Sequence, residues 1–209
     1  KMAGVYADFA REVLALPVIP GVKSPSERFA GALDTYTIEA MMQNGWALQA
    51  GTSHFLGQNF AKAFDVTFQT QEGTREHVWA TSWGVSTRLI GAVIMAHSDD
   101  TGLVLPPTIA PVQAVVTPIW QRGGEKGDVR AFCEQVVAAL APHGIRVKLD
   151  DRDMKPGAKY YEWERKGVPV RLEVGPRDVK QGSVFAAVRT GGKKEALALE
   201  GLPTSVRAK

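Results

Sequence analysis

Val112-Gln-Ala-Val-Val-Thr-Pro-Ile119 is an apolar stretch that predicts a buried strand, and the residues after it change to helical spacing. Apolar positions recur at that spacing from 128 to 143, with Asp128 as the predicted N-cap and Gly144 as the predicted end. A second apolar run follows at 145–149. Strand, helix and strand in this order predict a βαβ unit with parallel strands.

The residues on either side of this unit complete a small α/β domain with a mixed sheet. Residues 160–165 predict a short helix, and three further strands are predicted at 168–174, 183–189 and 195–199. Upstream, residues 99–111 contain three prolines and end the preceding pattern. The predicted domains are therefore residues 1–110 and 111–209.

The first domain has the pattern of an α+β fold. A helix is predicted from Tyr6 to Leu14, because apolar residues recur there at helical spacing and Pro17 follows. Two antiparallel strands are predicted at 65–70 and at 77–83, around a turn at 71–75. A buried apolar helix is predicted from 87 to 97.

Composition excludes several classes of protein. The 209 residues are 44% hydrophobic with a net charge of +3, which excludes a disordered tail and permits contact with RNA without requiring it. A single cysteine, Cys133, excludes an internal disulfide, and the histidines and the cysteine lack the spacing of a zinc site. No apolar stretch is long enough for a membrane helix. We expect a cytoplasmic protein with no metal site, and the start at Lys1-Met2 leads us to expect further residues upstream.

Two features point to binding chemistry. Gln49-Ala-Gly-Thr-Ser-His54 combines polar groups with small residues, which is typical either of a nucleoside or amino-acid site or of a hydrogen-bonded turn. Arg88 opens the apolar helix, where a buried guanidinium would need an anion. That anion is either a carboxylate such as Asp99 or Asp100, or a phosphate of a bound substrate.

Several motifs occur in the order found in one enzyme family. They are Arg28-Phe-Ala-Gly31, Thr37-Ile-Glu-Ala-Met-Met42, Gln49-Ala-Gly-Thr-Ser-His54, Leu56-Gly-Gln-Asn-Phe60, Thr81-Ser-Trp-Gly84, Gly102-Leu-Val-Leu-Pro-Pro107, Leu149-Asp-Asp-Arg-Asp153, Tyr161-Glu-Trp-Glu-Arg-Lys-Gly-Val-Pro169 and Val174-Gly-Pro-Arg-Asp178. Together they closely resemble prolyl-tRNA synthetases of the archaeal and eukaryotic type. The resemblance implies the C-terminal half of a class II catalytic domain, an antiparallel sheet with flanking helices, followed by an anticodon-binding domain.

The resemblance assigns roles in amino-acid activation. Arg88 matches the arginine of the third class II signature, which holds the γ-phosphate of ATP and stabilises charge on the departing pyrophosphate. Matches to ATP contacts are Gln49, Thr52, Ser86 and Thr87, of which the last two also match contacts to the tRNA end. Matches to the proline pocket are Phe29, His54, Trp83 and Gly84, although Phe29 and Trp83, each taken alone, are more typical of an ordinary core.

A second set of residues matches the positions that read the two guanines of the proline anticodon. They are Glu164, Arg171, Arg177 and Asp178. Carboxylates accept from guanine N1 and N2, and arginine donates to O6 and N7. Tyr160 and Tyr161 offer faces for stacked bases, and Lys155 and Lys159 are candidate phosphate contacts. The alternative for 162–166 is a solvated helix face.

The resemblance also implies substrates and partners. These are ATP with Mg²⁺, L-proline, tRNA-Pro and a second copy in a homodimer. The first two class II signatures are not among these residues, so we expect no adenylate synthesis from residues 1–209 alone, and Thr108 replaces a residue that is usually basic. Alternatives are a noncatalytic tRNA-binding or regulatory module, or an adenylate-forming enzyme with another acceptor. The retained Gln49, Thr52 and Arg88 argue against a pure binding module.

Overall fold

The computed structural model describes residues 1–120 and 126–209, which form two compact units, Lys1–Ala96 and His97–Lys209. Each unit contains its own sheet, and the fold class expected from the sequence is confirmed. Within the described residues, no helix is both long and apolar enough to span a bilayer.

The first unit is built on a four-stranded antiparallel sheet with the strand order β1-β2-β3-β6. Its elements are α1 (Met2–Asp8, continued by a π-helical turn at Phe9–Val13), β1 (Val18–Val22), β2 (Asp34–Met41), β3 (Ala47–Gly57), α2 (Asn59–Ala63), β4 (Thr67–Gln69), β5 (Arg75–His77), β6 (Ala80–Gly84) and α3 (Arg88–His97). The predicted first helix is present, and the chain leaves it before Pro17.

Two expectations for this unit are corrected. The predicted hairpin contains only β4 and β5, because the second strand ends at His77. The residues after it form a separate strand, β6, which pairs with β3 in the main sheet. Helix α3 is also less buried than expected: Leu89, Ala92 and Val93 are buried, but Ile90 is 63% exposed. Its apolar composition therefore does not reflect burial on every side.

The second unit has a five-stranded mixed sheet with the order β11-β10-β9-β7-β8. Its elements are β7 (Ala114–Pro118), α4 (Lys126–Leu140), a 3-10 turn (Ala141–His143), β8 (Val147–Leu149), α5 (Pro156–Arg165), β9 (Val170–Val174), α6 (Pro176–Gln181), β10 (Ser183–Val188), β11 (Glu195–Ala198) and α7 (Leu202–Arg207). Strand β7 is parallel to both β8 and β9, so the predicted βαβ unit is confirmed.

The ends of α4 differ in how well the sequence predicts them. Asp128 lies inside the first turn rather than at the N-cap, because the helix is already formed at Lys126. Gly144 follows the 3-10 turn with φ 73°, a left-handed conformation that glycine adopts without a side-chain clash.

Helix α4 and helix α5 cover opposite faces of this sheet. The α4 side holds the main core, including Val136, Leu140 and Leu172, all fully buried. The α5 side holds a smaller cluster of Val115, Trp163 and Val168. Cys133 lies in the main core, where burial raises the pKa of its thiol to about 12, in agreement with a packing role.

The segment before β7 is held within the second unit by specific contacts. Arg189 donates hydrogen bonds to both carboxylate oxygens of Asp99 and to the carbonyls of Gly102 and Leu103. Gly102 has φ 144°, and a Cβ atom there would lie 2.4 Å from the Cα of Arg165. These contacts explain why the compact unit begins at His97, whereas the proline-rich composition favours a boundary near residue 110. The domain division at residue 110 stays a prediction.

Candidate functional site

Three of the predicted site residues lie on one face of the first sheet. The register pairs Thr52 with Gly84 and His54 with Ser82. Because side chains alternate along strands, Thr52, His54 and position 84 lie on the same face of the sheet. Thr37 of β2 pairs with Thr52 and belongs to this face as well. We call this face, with the loops and the start of α3 beside it, the β3 face.

Gln49 joins the β3 face through an irregularity in the sheet. The pairing of β2 and β3 shifts between Ile38 and Glu39, so that Gln49 pairs with Glu39. The side-chain amide oxygen of Gln49 accepts a hydrogen bond of 2.5 Å from Lys23 Nζ. Lys23 thereby places a positive charge beside the predicted nucleotide contacts, although it has no place in the quoted motifs.

Arg88 reaches the same place from the start of α3. One guanidinium nitrogen donates to the carbonyl oxygen of Gln49 at 3.3 Å. The side chain is exposed, so the expectation of a buried arginine is wrong. Within the described residues Arg88 forms no ion pair, and Asp99 is bound by Arg189 instead. Its positive charge is therefore open to an anion from solution.

Ser86 and Thr87 immediately precede the first residue of α3. The Ser86 hydroxyl accepts a hydrogen bond of 3.3 Å from the backbone nitrogen of Arg88, and the carbonyls of Ser86 and Thr87 accept from Leu89 and Ile90. Both residues are exposed. Their geometry is that of a helix cap, which fixes the backbone from which Arg88 projects.

Phe29 and His54 form the aromatic part of the β3 face. Their ring centroids are 4.7 Å apart, and the Thr35 hydroxyl bridges them by accepting from the Phe29 backbone nitrogen and by bonding His54 Nδ1 at 3.0 Å. Burial, followed by the charge of Lys23, lowers the pKa of His54. The imidazole is therefore kept neutral near pH 7, a form suited to positioning an apolar ligand.

Trp83 lies on the opposite face of the sheet. It pairs with Ser53, which pairs in turn with Tyr36, and these three positions alternate with the β3 face. Trp83 lines a cavity of about 440 Å³ together with Tyr36, His54 and residues 1–3. The rings of Phe29 and His54 are thus in direct contact, whereas Trp83 projects from the opposite face of the sheet and meets His54 only in the lining of this cavity.

Another cavity opens on the β3 face itself. It has a volume of about 400 Å³, and its lining includes Lys23, Thr37 and Glu39. The motif around Glu39 was part of the sequence argument, but its carboxylate was not predicted to be a site residue. Among the described residues, no cluster of three or more histidine, cysteine or acidic side chains is placed to hold a metal ion.

In the second unit, Arg171 and Glu164 are joined by an ion pair. Arg171 projects from β9 and donates from one terminal nitrogen to Glu164 Oε1 at 3.1 Å, and from Nε to Glu173 Oε1 at 3.1 Å. Lys194 also binds Glu173, at 2.8 Å. We call Glu164, Arg171, Glu173 and Lys194 the β9 charge cluster.

The other two predicted anticodon residues lie on α6. Asp178 accepts a hydrogen bond of 2.8 Å from the backbone nitrogen of Gly175, and so caps the helix. Arg177 precedes it and is exposed. One carboxylate oxygen of Asp178 is therefore used structurally, whereas Arg177 is open to solvent.

The two predicted stacking tyrosines have different surroundings. The guanidinium carbon of Arg171 lies 4.1 Å from the ring centroid of Tyr160, and Lys194 also approaches this ring. Burial, followed by the charge of Glu173, raises the pKa of the Tyr160 hydroxyl. Tyr161 is 62% exposed and is the better candidate for stacking.

Lys159 has a structural role, so the expectation that it contacts RNA phosphates is wrong. Its side chain is 1% exposed and donates to the carbonyl oxygen of Asp150 at 2.9 Å. The Asp150 carboxylate accepts from Arg152 and from the indole nitrogen of Trp163. Burial acts to raise the pKa of Asp150, but these hydrogen bonds and the charges of Lys159 and Arg152 outweigh it and lower the pKa to about 2.

Comparisons with known proteins found similar sequences that span both units. The model of the anticodon-binding-domain family matches residues 113–209. The chain is 58% identical over 201 residues to a proline–tRNA ligase of Flavobacterium johnsoniae, covering 96% of this chain and 41% of the relative. It is 56% identical over 207 residues to the proline–tRNA ligase of Porphyromonas gingivalis, and this match covers 99% of this chain and 42% of the relative. The chain thus spans about two-fifths of the length of these relatives.

Solved structures agree with the sequence relatives. A prolyl-tRNA synthetase from Cryptosporidium parvum in complex with L-proline and AMP matches 99% of this chain and 45% of its own, with a TM-score of 0.92 and 43% identity. The same organism's enzyme with halofuginone and AMPPNP matches with a TM-score of 0.94 and 42% identity.

Proposed function

We propose that this chain, which is homologous to prolyl-tRNA synthetases over nearly its whole length, provides the anticodon-binding part and one portion of the activation site of such an enzyme. The identity of 58% over 96% of the chain carries this proposal. The reaction is the activation of L-proline by ATP, followed by transfer of the prolyl group to tRNA-Pro.

Activation requires charge stabilisation more than proton transfer. The ionised proline carboxylate attacks the α-phosphorus of ATP, the bond to the bridging oxygen breaks, and pyrophosphate leaves. We assign Arg88 to the negative charge on the departing pyrophosphate, since the residue is exposed and its guanidinium forms no ion pair among the described residues. Its bond to the Gln49 carbonyl fixes one end of the side chain in advance.

The β3 face supplies binding and orientation. We assign Gln49, Thr52, Ser86 and Thr87 to ATP, and Phe29, His54 and Gly84 to proline. Close packing of Phe29 against a neutral His54 supports an apolar wall for a compact ring. For Trp83, we propose a supporting role behind the strand, since its side chain lies on the other face.

The remaining features of the proposal rest on the family. The two structures of the Cryptosporidium parvum enzyme, one with L-proline and AMP and one with AMPPNP, support ATP as the nucleotide. We propose that Mg²⁺ enters as the ATP complex. We further propose a cytoplasmic homodimer that binds tRNA-Pro.

The test is amino-acid-dependent exchange of labelled pyrophosphate into ATP, using a protein that contains these 209 residues together with the rest of the enzyme. We expect L-proline to stimulate exchange and other amino acids to do so far less. If the protein binds tRNA-Pro but no amino acid stimulates pyrophosphate exchange, the noncatalytic tRNA-binding module is the correct alternative. Exchange that depends on a different amino acid would contradict the assignment of the β3 face to proline.

A further inference from the structure

Lys23 lies on the β3 face, although it belongs to none of the motifs that resemble the family. It directly follows β1, and its backbone nitrogen donates to the carbonyl oxygen of Thr35 at 2.9 Å. Lys23 therefore lies opposite Thr35, one position beyond the pair of Val22 and Tyr36. Thr35 pairs in turn with His54. Because paired residues of neighbouring strands project from the same face, the register alone places the Lys23 side chain beside the predicted site.

The Lys23 ammonium binds an amide although carboxylates are nearby. Its Nζ donates to Gln49 Oε1 at 2.5 Å. Glu27 and Glu39 line the same cavity of about 400 Å³ as Lys23, yet within the described residues Lys23 forms no ion pair. Its charge also contributes to the lowered pKa of His54. The ammonium is thus directed at the predicted nucleotide contact rather than at a neutralising partner.

This hydrogen bond fixes the polarity of the Gln49 amide. An ammonium has three donors and no acceptor, so the atom of Gln49 that it binds is the amide oxygen. The amide nitrogen then lies on the side of the group away from Lys23. In the described part of the chain, Gln49 Nε2 has no hydrogen-bond partner. Gln49 thereby keeps its N–H donors available for a ligand.

The main chain of Gln49 is held as well. Arg88 donates to its carbonyl oxygen at 3.3 Å, and Gln49 pairs with Glu39 where the register of β2 and β3 shifts. One cation therefore holds the side chain of Gln49 and another holds its backbone. A free glutamine side chain loses rotamer freedom when it binds a ligand. The bond to Lys23 removes part of that freedom before the ligand arrives.

We propose that Lys23 is a positioning residue, which holds Gln49 Oε1 so that the amide nitrogen of Gln49 donates to an acceptor atom of the bound nucleotide. Lys23 acts through Gln49 and does not itself contact the nucleotide. This inference rests on the proposed function, under which Gln49 binds ATP, and it specifies the hydrogen-bond polarity with which the nucleotide is recognised at this position.

The experiment measures the kinetics of proline-dependent pyrophosphate exchange by a complete enzyme that contains these 209 residues. Lys23→Met removes the ammonium and keeps an unbranched side chain. We expect it to raise the KM for ATP by about five- to tenfold and to change the KM for proline by less than about twofold, because a hydrogen bond that orients the nucleotide contact is lost. The matched control is Lys62→Met, since Lys62 is an exposed lysine of α2 in the same unit. It should leave both KM values unchanged.

A double mutant distinguishes positioning from direct contact. If Lys23 acts through Gln49, then adding Lys23→Met to Gln49→Ala should raise the KM for ATP by less than about a further twofold. If it raises this KM as much as it does in the unmodified enzyme, Lys23 contacts the nucleotide itself and the inference is wrong. An unchanged KM for ATP in Lys23→Met alone also contradicts it. Lys23→Arg keeps a cationic donor, so its KM for ATP should stay within about threefold of the unmodified value.

Gln49→Glu tests the polarity without altering Lys23, so it decides the question even if the Lys23 variants fail to fold. Glutamate can keep the bond to Lys23 but has no N–H donor for the nucleotide. We expect it to raise the KM for ATP at least as much as Gln49→Ala does. A KM for ATP within about twofold of the unmodified value would overturn the inference. If the unmodified enzyme exchanges pyrophosphate with no amino acid, the proposed function itself is refuted.

Discussion

At the scale of single residues, Arg88 has the largest expected effect on activation. In a complete enzyme containing this chain, Arg88→Ala should slow proline-dependent pyrophosphate exchange by about 10²–10³-fold, because a charge-stabilising donor is lost. Arg75→Ala is a control in the same unit, and Arg88→Lys should recover part of the rate. Unchanged turnover with a raised proline requirement would make Arg88 a pocket residue.

Asp150 is the residue at which burial and charge affect stability most directly. Asp150→Asn should lower the free energy of unfolding by about 3 kcal/mol, because Arg152 loses its buried carboxylate partner and the buried charge of Lys159 loses the nearby negative charge. Asp151→Asn, which removes the exposed partner of Arg130, should cost less than about 1 kcal/mol. Denaturant unfolding of both variants measures the difference, and equal losses would contradict the role of burial.

The lowered pKa of Asp150 also leads to a prediction of how the stability of the chain depends on pH. The pKa of Asp150 is about 2 in the folded chain, below its ordinary value, so its contribution is complete above about pH 4 and is lost as the pH falls towards 2. Unfolding measured between pH 5 and pH 2 should show a shallower decline for Asp150→Asn than for the unmodified chain. An identical decline in both would show that Asp150 does not contribute.

Individual residue roles were only partly predictable from the sequence. The helix that carries Arg88 is recognisable from its period, but the exposure of that side chain depends on tertiary packing. Lys159 resembles any surface lysine in the sequence, because its carbonyl partner belongs to a segment that precedes α5. The ion pairs of Arg171 likewise depend on the position of α5 over the second sheet.

At the scale of elements, register decides which side chains meet. Thr52, His54 and Gly84 share a face of the sheet, whereas Trp83 lies on the other face. The reason is that successive side chains along a strand point to opposite faces. The irregularity between Ile38 and Glu39 brings Gln49 to the same face, and no residue spacing in the sequence predicts it. The βαβ unit was predictable because its periodicity changes clearly from strand to helix.

The contact between the 99–103 segment and the end of α5 gives a prediction at this scale. Gly102→Ala should destabilise the second unit by more than about 3 kcal/mol, because its Cβ would overlap the Arg165 backbone and φ is positive. Gly157→Ala places a Cβ in open space in the first turn of α5 and should be neutral or stabilising by up to about 1 kcal/mol. Thermal unfolding distinguishes them, and equal effects would contradict the close approach.

At the scale of the whole molecule, a net charge of +3 gives only a weak general attraction to RNA. The proposed specificity for one tRNA therefore depends on base contacts in the second unit rather than on overall charge. Phosphate contacts should contribute a common salt dependence to all tRNAs, whereas base contacts should distinguish one anticodon from another.

The most direct test is the affinity of the 209-residue chain for tRNA-Pro and for transcripts in which each anticodon guanine is replaced by adenosine, measured at two salt concentrations. We predict that each replacement weakens binding by about 1–3 kcal/mol at both concentrations, with a similar salt slope for every transcript. Equal affinity for the original and the substituted transcripts would contradict the assignment of this chain to the reading of the proline anticodon.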